Sequence, residues 1–199
     1  MDNLSQLQNQ YFVLRHGKSE ANEQEIILSN PEEGIIRCGL TEEGKEQVRK
    51  SVQEAKEKGV LNKATIIYSS DFLRCRETSE ITKNILGCET IHLNKALRER
   101  NFGEWERTHQ SNYQKIWSID SINSKHRMHG AENVYDVLKR ITSLILELEA
   151  KHKGECILLV SHGDVLQILQ TAFEKVSPTK HRQLPHLQTA EIRELQLKP

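Results

Sequence analysis

Three short apolar runs, separated by long helical patterns, constrain the fold of this chain more than any other feature. They are Tyr11–Leu14, Ala64–Tyr68 and Cys156–Val160, and β-branched residues recur in them. Runs of this length and composition are typical of strands that are buried on both faces. A weaker run at Thr90–Leu93 predicts a fourth strand, and the alternating pattern at Ala190–Leu197 predicts an edge strand.

Helical patterns fill the intervals between these strands. Thr41 and Asp71 are the predicted N-caps of the first two helices, and Gly59 and Gly87 follow their last turns. The predicted helices cover residues 41–58, 71–87, 132–151 and 164–173. Strands that alternate with helices in this way predict the α/β class, with a mainly parallel central sheet that is covered on both faces.

The balance of charge excludes some classes of partner. The 28 Lys and Arg residues equal the 28 Asp and Glu residues, whereas a protein that binds nucleic acid or an anionic membrane more often has a basic excess. No apolar run approaches the roughly 20 residues of a membrane span. Residues 1–9 are polar, are expected to be flexible and lack the pattern of a signal peptide. The chain is therefore interpreted as one cytoplasmic domain over residues 1–199.

Each of the three apolar runs leads directly into residues that suit a catalytic site. The first is followed by Arg15–Gly17, which contains His16, and the second by Ser69–Asp71, with Arg74 one turn further on. The third is followed by Ser161–Asp164, which contains a second histidine. Because ligands of open α/β sheets bind beyond the carboxyl ends of the strands, two arginines and two histidines are expected to meet at one edge.

Two arginines and two histidines at one point are suited to phosphate, because guanidinium groups donate in pairs to its oxygens. A neutral imidazole can attack phosphorus directly, and Gly17 lets the backbone approach closely beside His16. The leaving oxygen then needs a proton, for which Glu99 is the candidate donor. Burial or the charge of the substrate would have to raise the pKa of Glu99, because neighbouring arginines lower it.

The residues around these positions form four motifs, which are Leu14–Asn22 (L-R-H-G-x-S-x-x-N), Ser69–Thr78, Leu97–Glu106 and Ser161–Gly163. They resemble the motifs of the histidine phosphatase superfamily, also called phosphoglycerate mutase-like proteins, and together they span most of the chain. The resemblance implies a three-layer α/β/α sandwich and an enzyme that needs no metal and no other cofactor.

The resemblance also implies roles for individual residues. His16 would be the nucleophile that becomes phosphohistidine, and Glu99 would be the proton donor and later the base for the attacking water. The residues expected to bind the phosphoryl group and the substrate are Arg15, Arg74, His162, Asn22, Ser19 and Gly163. Thr189 is expected to approach the pocket where the last strand begins.

Three activities remain open within this resemblance. Phosphoglycerate mutases have a tyrosine three residues after the acid and a lysine eleven after it, where this chain has Phe102 and Gln110. Their paired arginines also lack a clear counterpart, which favours a phosphatase that acts on a small phosphorylated metabolite. Mutase-type phosphoryl transfer is the alternative. A non-catalytic protein that binds phospho-ligands or a partner is the third possibility.

Two cations depart from the usual motifs. Lys18 stands where glutamate or glutamine is common, and Arg107 stands where a glycine often occurs. Both add positive charge, which leads to the hypothesis of a substrate with a second anionic group. The alternative is that both are solvated surface charges.

Overall fold

The computed structural model describes residues 4–199, which form a five-stranded sheet between helical layers. The strands are β1 Gln10–Arg15, β2 Ile66–Ser69, β3 Ile91–Leu93, β4 Cys156–Ser161 and β5 Ile192–Leu195. Their order in the sheet is β3-β2-β4-β1-β5, with β5 antiparallel to β1 and the other pairs parallel. The predicted α/β class, the mainly parallel sheet and the edge strand near the carboxyl terminus are confirmed.

The α-helices are α1 Glu20–Glu23, α2 Pro31–Gly34, α3 Glu42–Glu57, α4 Leu73–Leu86, α5 Tyr113–Asp120, α6 Val134–Lys151 and α7 Gly163–Phe173. Short 3-10 helices cover Lys95–Leu97, Gly103–Trp105, Gln110–Asn112, Met128–Gly130 and Pro178–Gln183. Helices α3, α4, α6 and α7 agree with the predicted ranges to within two residues at either end. Among residues 4–199, none of the helices combines the length and the apolar character that crossing a membrane requires.

Alternate residues of the central strands point to opposite helical layers. Tyr11 and Val13 of β1 pack in a buried cluster with α6 and α7, whereas Phe12 and Leu14 pack in a second cluster with α3 and α4. Successive side chains of a strand point to opposite faces, and here both faces are covered. This explains the continuous apolar sequence of β1 and β4 and makes the fold a three-layer α/β/α sandwich.

The two predicted helix caps have different outcomes. Thr41 caps α3 as predicted, because its Oγ1 accepts a hydrogen bond from the backbone N–H three residues on, at 3.0 Å. The prediction that Asp71 caps α4 is wrong, since Phe72 is the N-cap and makes no side-chain cap. Asp71 instead accepts two hydrogen bonds from Arg98, at 2.8 and 2.6 Å. This ion pair ties the start of α4 to the segment that carries Glu99.

The amino-terminal segment contacts the sandwich. Residues 1–3 lie outside the described residues, but Leu4 is buried in the cluster beside α6. Asn9 donates a hydrogen bond from Nδ2 to Glu149, at 2.8 Å. Leu4 and Asn9 are thus packed against the sandwich, and the flexibility expected for residues 1–9 stays a prediction.

The turn that carries His16 lies against the first turn of α3 at two glycines. A Cβ on Gly17 would lie 2.4 Å from the backbone oxygen of Gly44, and a Cβ on Gly44 would lie 2.0 Å from the backbone oxygen of Lys18. Side chains do not tolerate such distances, so this close approach of two backbones requires glycine at both positions. The approach fixes the turn after β1 against the helical layer.

Candidate active site

A cavity of about 160 Å³ opens at the carboxyl ends of β1 and β4, beside the start of α4. This edge is where ligands of open α/β sheets bind. Seven of the predicted site residues line the cavity: Arg15, His16, Ser19, Asn22, Arg74, Glu99 and Gly163. His162 is fully buried next to them, with its ring centre 5.3 Å from that of His16.

Both ring nitrogens of His16 have defined partners. Nδ1 lies 2.8 Å from the backbone oxygen of Gly17, and Nε2 lies 3.1 Å from Nε of Arg74. Because a carbonyl oxygen only accepts, Nδ1 carries the proton and Nε2 holds the lone pair. Burial, together with the charges of Arg74 and Arg15, holds the pKa of His16 well below its usual range. The ring is therefore neutral, which is the form that can attack phosphorus.

Two guanidinium groups beside His16 have buried N–H donors without a partner among the described residues. They are Nη1 of Arg74 and Nε of Arg15. One nitrogen of each guanidinium group is held, since Arg74 Nη2 donates to the backbone oxygen of Leu28 at 3.1 Å and Arg15 Nη1 to that of Leu187 at 2.8 Å. Buried polar groups are nearly always paired, so two orphan donors at one cavity indicate a ligand that supplies acceptor oxygens.

Glu99 is a largely buried carboxyl group between Arg74 and His162, with its side chain 10% exposed. Its Oε2 lies 3.8 Å from Arg74 Nη2 and 3.7 Å from Nδ1 of His162. Burial raises the pKa of Glu99 to about 7, although the charge of Arg74 acts in the opposite direction. A carboxyl group with this pKa can hold a proton near neutral pH and release it, as a general acid must.

The ring of His162 is held behind the cavity. Nε2 lies 3.0 Å from Oγ of Ser70 and 3.5 Å from Sγ of Cys75. Burial, with the charge of Arg74, holds the pKa of His162 well below its usual range, so this ring is also neutral. Its Nδ1 faces Glu99, which orients the ring between β2, β4 and the candidate acid.

Ser19 and Asn22 form a capping box at the start of α1. The backbone N–H and the hydroxyl group of Ser19 donate to Oδ1 of Asn22, at 3.0 and 2.9 Å. Since Oδ1 is used in this way, the amide N–H groups of Asn22 are the ones that can face a ligand.

Besides His162, which lies behind the cavity, three residues that the sequence assigned to the site do not line this cavity as the described chain forms it: Lys18, Arg107 and Thr189. Lys18 pairs with Glu43 on α3 at 2.5 Å, and Arg107 pairs with Glu33 on α2 and lines a neighbouring cavity. Carboxylates therefore neutralise both cations. This geometry agrees with the surface-charge alternative and gives no support to a second anion site.

Among the other residues that line the cavity, four have aromatic or ionisable side chains that the sequence analysis did not assign to the site: Tyr113, Trp117, Asp164 and His186. Tyr113 and Trp117 are stacked on α5, with ring centres 5.1 Å apart and planes at 10°, and Trp117 Nε1 donates to Asp164 at 3.0 Å. The available signal was the i, i+4 spacing of two aromatic residues, which places them on one helix face. His186 lies on the loop before β5, where no sequence motif predicts a site residue.

A buried ion network behind the cavity holds α5 to α7. Arg100 donates two hydrogen bonds to Asp120, at 2.7 and 2.8 Å, and one to Asp164, at 3.2 Å. His126 Nε2 lies 2.7 Å from Asp120. Although histidine and carboxylate groups meet here, no set of three or more His, Cys, Asp or Glu side chains within residues 4–199 is arranged to hold a metal ion. The network places the residue after Glu99 between two helices.

We expect Arg100→Met to lower the free energy of unfolding by about 3–5 kcal/mol, because it leaves Asp120 and Asp164 buried without their main cation. Urea denaturation measures the loss. The control is Arg49→Met, which removes an exposed arginine paired with Glu46 on α3; its effect should stay within about 0.5 kcal/mol. Equal losses in the two variants would contradict this role of the network.

Proteins of known name are similar to this chain in sequence. Residues 11–199 match the family model of the histidine phosphatase superfamily, branch 1. A 2,3-bisphosphoglycerate-dependent phosphoglycerate mutase of Parvibaculum lavamentivorans is 28% identical over 178 residues, which cover 85% of this chain and 81% of that protein. The probable phosphoglycerate mutase GpmB of Escherichia coli is 30% identical over 165 residues, which cover 80% and 72% of the two chains.

Solved structures of phosphatases share the fold. A mycobacterial glucosyl-3-phosphoglycerate phosphatase has a TM-score of 0.78 at 21% identity, and the alignment covers 93% of this chain and 91% of that one. The phosphoserine phosphatase of Entamoeba histolytica has a TM-score of 0.71 at 24% identity, with 94% and 89% covered. Since the family match extends over residues 11–199 and contains all four motifs, this chain belongs to the histidine phosphatase superfamily, branch 1.

Proposed function

We propose that the protein, as one cytoplasmic domain over residues 1–199, is a metal-independent phosphomonoesterase for a small phosphorylated metabolite. The reaction passes through a phosphohistidine on His16. The observation that carries the proposal is a neutral, buried imidazole beside two orphan guanidinium donors, on Arg15 and Arg74. A phosphoryl group supplies oxygens to both donors, and preorganised cations stabilise the charge of its transition state.

The first step transfers the phosphoryl group to the enzyme. Nε of Arg74 donates to Nε2 of His16, so phosphoryl oxygens must draw the guanidinium away to free the lone pair. Nε2 then forms a bond to phosphorus while the bond to the leaving oxygen breaks. Glu99 gives its proton to that oxygen and becomes a carboxylate. Arg15, Arg74 and the backbone N–H at the start of α7 stabilise the peripheral oxygens.

The second step returns the enzyme to its starting state. The Glu99 carboxylate accepts a proton from water, and the water oxygen attacks the phosphorus of phosphohistidine. The phosphorus–nitrogen bond breaks, its electrons return to Nε2 of His16, and inorganic phosphate leaves. Glu99 is then protonated again, which its raised pKa favours near neutral pH.

The names of the curated relatives favour a second candidate, mutase-type phosphoryl transfer. The described cavity argues against it at two positions. Gln110 lines the cavity without a charge, where the mutases have lysine. Phe102 is buried against Tyr113, with ring centres 4.7 Å apart, and offers no hydroxyl group. Hydrolysis is therefore the first candidate.

A phosphate-release screen over sugar phosphates, phosphoglycerates, phosphoserine and nucleotides tests this assignment. We expect release from at least one class, at the same rate with and without a chelator. A parallel assay follows the interconversion of 2- and 3-phosphoglycerate after priming with 2,3-bisphosphoglycerate. Interconversion faster than phosphate release would identify a mutase, and loss of release on chelation would contradict metal independence.

A further inference from the structure

The loop between α7 and β5 brings a third histidine into contact with the candidate phosphate site. Nε2 of His186 accepts a hydrogen bond from Nη1 of Arg15 at 3.0 Å. A Cβ on Gly163 would lie 2.9 Å from Cε1 of His186 and 3.2 Å from Nε of Arg15. The imidazole, the guanidinium group and the start of α7 are therefore packed together at the cavity wall.

The protonation state of His186 follows from its partner. A guanidinium group has no lone pair, so Nε2 must be the acceptor and the ring proton lies on Nδ1. Burial, with the charge of Arg15, lowers the pKa of His186 to about 4, so the ring is neutral at neutral pH. Arg182 acts in the same direction, whereas Asp164 and Glu191 act in the opposite one.

The two hydrogen-bond acceptors beside Arg15 both contact the same nitrogen of its guanidinium group, Nη1. Nη1 donates both to His186 and to the backbone oxygen of Leu187, at 2.8 Å. The opposite edge, formed by Nε and Nη2, has the geometry to donate to two oxygens of one phosphate side by side, and Nε has no partner among the described residues. Two adjacent acceptors on one loop thus orient the plane of the group toward the cavity.

We propose that His186 is a positioning residue, which acts through Arg15 by holding the Nε–Nη2 edge toward the phosphoryl group. The inference rests on the proposed function, because it concerns phosphoryl binding in the same cavity. Without the His186 acceptor, the carbonyl of Leu187 alone does not fix the guanidinium plane. Phosphate binding weakens, since part of the charge-assisted hydrogen bonding is lost.

Three substitutions of His186 test whether the hydrogen-bond acceptor at the position of Nε2 matters, or only the presence of a side chain. In His186→Gln, the amide oxygen reaches the position of Nε2, whereas in His186→Asn it reaches only that of Nδ1. We expect Ala and Asn at position 186 to raise the inhibition constant of inorganic phosphate and the KM of p-nitrophenyl phosphate about tenfold, with a smaller change in kcat. The Gln variant should stay within about threefold of wild type.

The melting temperature of each variant separates a loss of binding from a loss of folding, and the two amide variants preserve polarity and approximate size. Equal constants in all variants and the wild type, or equal losses in the Gln and Asn variants, would overturn the positioning role. The proposed function is tested separately by the wild type. If it neither binds phosphate nor hydrolyses p-nitrophenyl phosphate, both proposals fail.

Discussion

His16→Ala is expected to abolish phosphate release, with a fall in kcat of about 10⁴-fold or more. Nε2 of His16 holds the lone pair in the cavity that Arg15 and Arg74 also line, and alanine leaves no atom that can attack phosphorus. Initial rates on the best substrate of the screen measure the loss. His92→Ala is the control, because it removes a histidine that stacks on Tyr68 at the far edge of the sheet; its rate should match the wild type.

The same variant tests the covalent step. Wild-type enzyme quenched in base during turnover should contain phosphoprotein that is stable in base and labile in acid, whereas His16→Ala should contain none. Inorganic phosphate should still bind to the variant, since Arg15 and Arg74 remain. Wild-type-like activity in the variant, or an acid-stable label in the wild type, would rule out the phosphohistidine mechanism.

Glu99→Gln is expected to lower kcat about 10²- to 10⁴-fold on substrates with alcohol leaving groups, because glutamine cannot supply the proton. The substitution keeps the shape of the side chain and an oxygen that can accept the N–H of Arg100, now at 2.9 Å. With p-nitrophenyl phosphate, whose leaving group needs no proton, the variant should show a burst of nitrophenol followed by slow turnover. No burst and an unchanged kcat would contradict both roles of Glu99.

The pH profile provides a second measurement on the same carboxyl group. Since the pKa of Glu99 is raised to about 7, kcat/KM of the wild type on alkyl phosphates should fall as the pH rises through that value.

The same carboxyl group makes the stability of the protein depend on pH. At pH values between the ordinary pKa of a glutamate and about 7, Glu99 keeps a proton in the folded state that it has lost in the unfolded state. Stability therefore decreases as the pH rises across this window, by about 3 kcal/mol in total. The Glu99→Gln variant should show neither this fall in kcat/KM nor this decrease in stability as the pH rises.

The sequence predicts which residues meet at the cavity when each of them follows a buried strand. His16, Arg74 and His162 each follow a buried parallel strand, and parallel strands end at the same edge of a sheet. The local sequence pattern and the geometry of parallel sheets are therefore enough to predict that these three residues lie close together, whatever path the loops take. Their catalytic roles stay predictions until the variants are measured.

Residues on irregular segments were not predictable in the same way. His186 reaches Arg15 across 171 positions of the chain, and only the path of its loop decides that contact. The failed cap at Asp71 has a similar cause, because the distant Arg98 offers two hydrogen bonds that a local pattern does not reveal. Lys18 likewise meets a carboxylate on α3 that its own motif does not contain.

The position of β1 in the sheet has a consequence for biosynthesis. Its neighbours are β4 and β5, and the register of Gln10 with Cys156 joins segments more than 140 residues apart. The strand that leads to His16 is made early, yet it finds no neighbouring strand until β4 has left the ribosome. Pairing over such a separation is slow, and an unpaired apolar strand is open to aggregation meanwhile. The cavity around His16 can therefore form only after β4, which leads to His162, has been made.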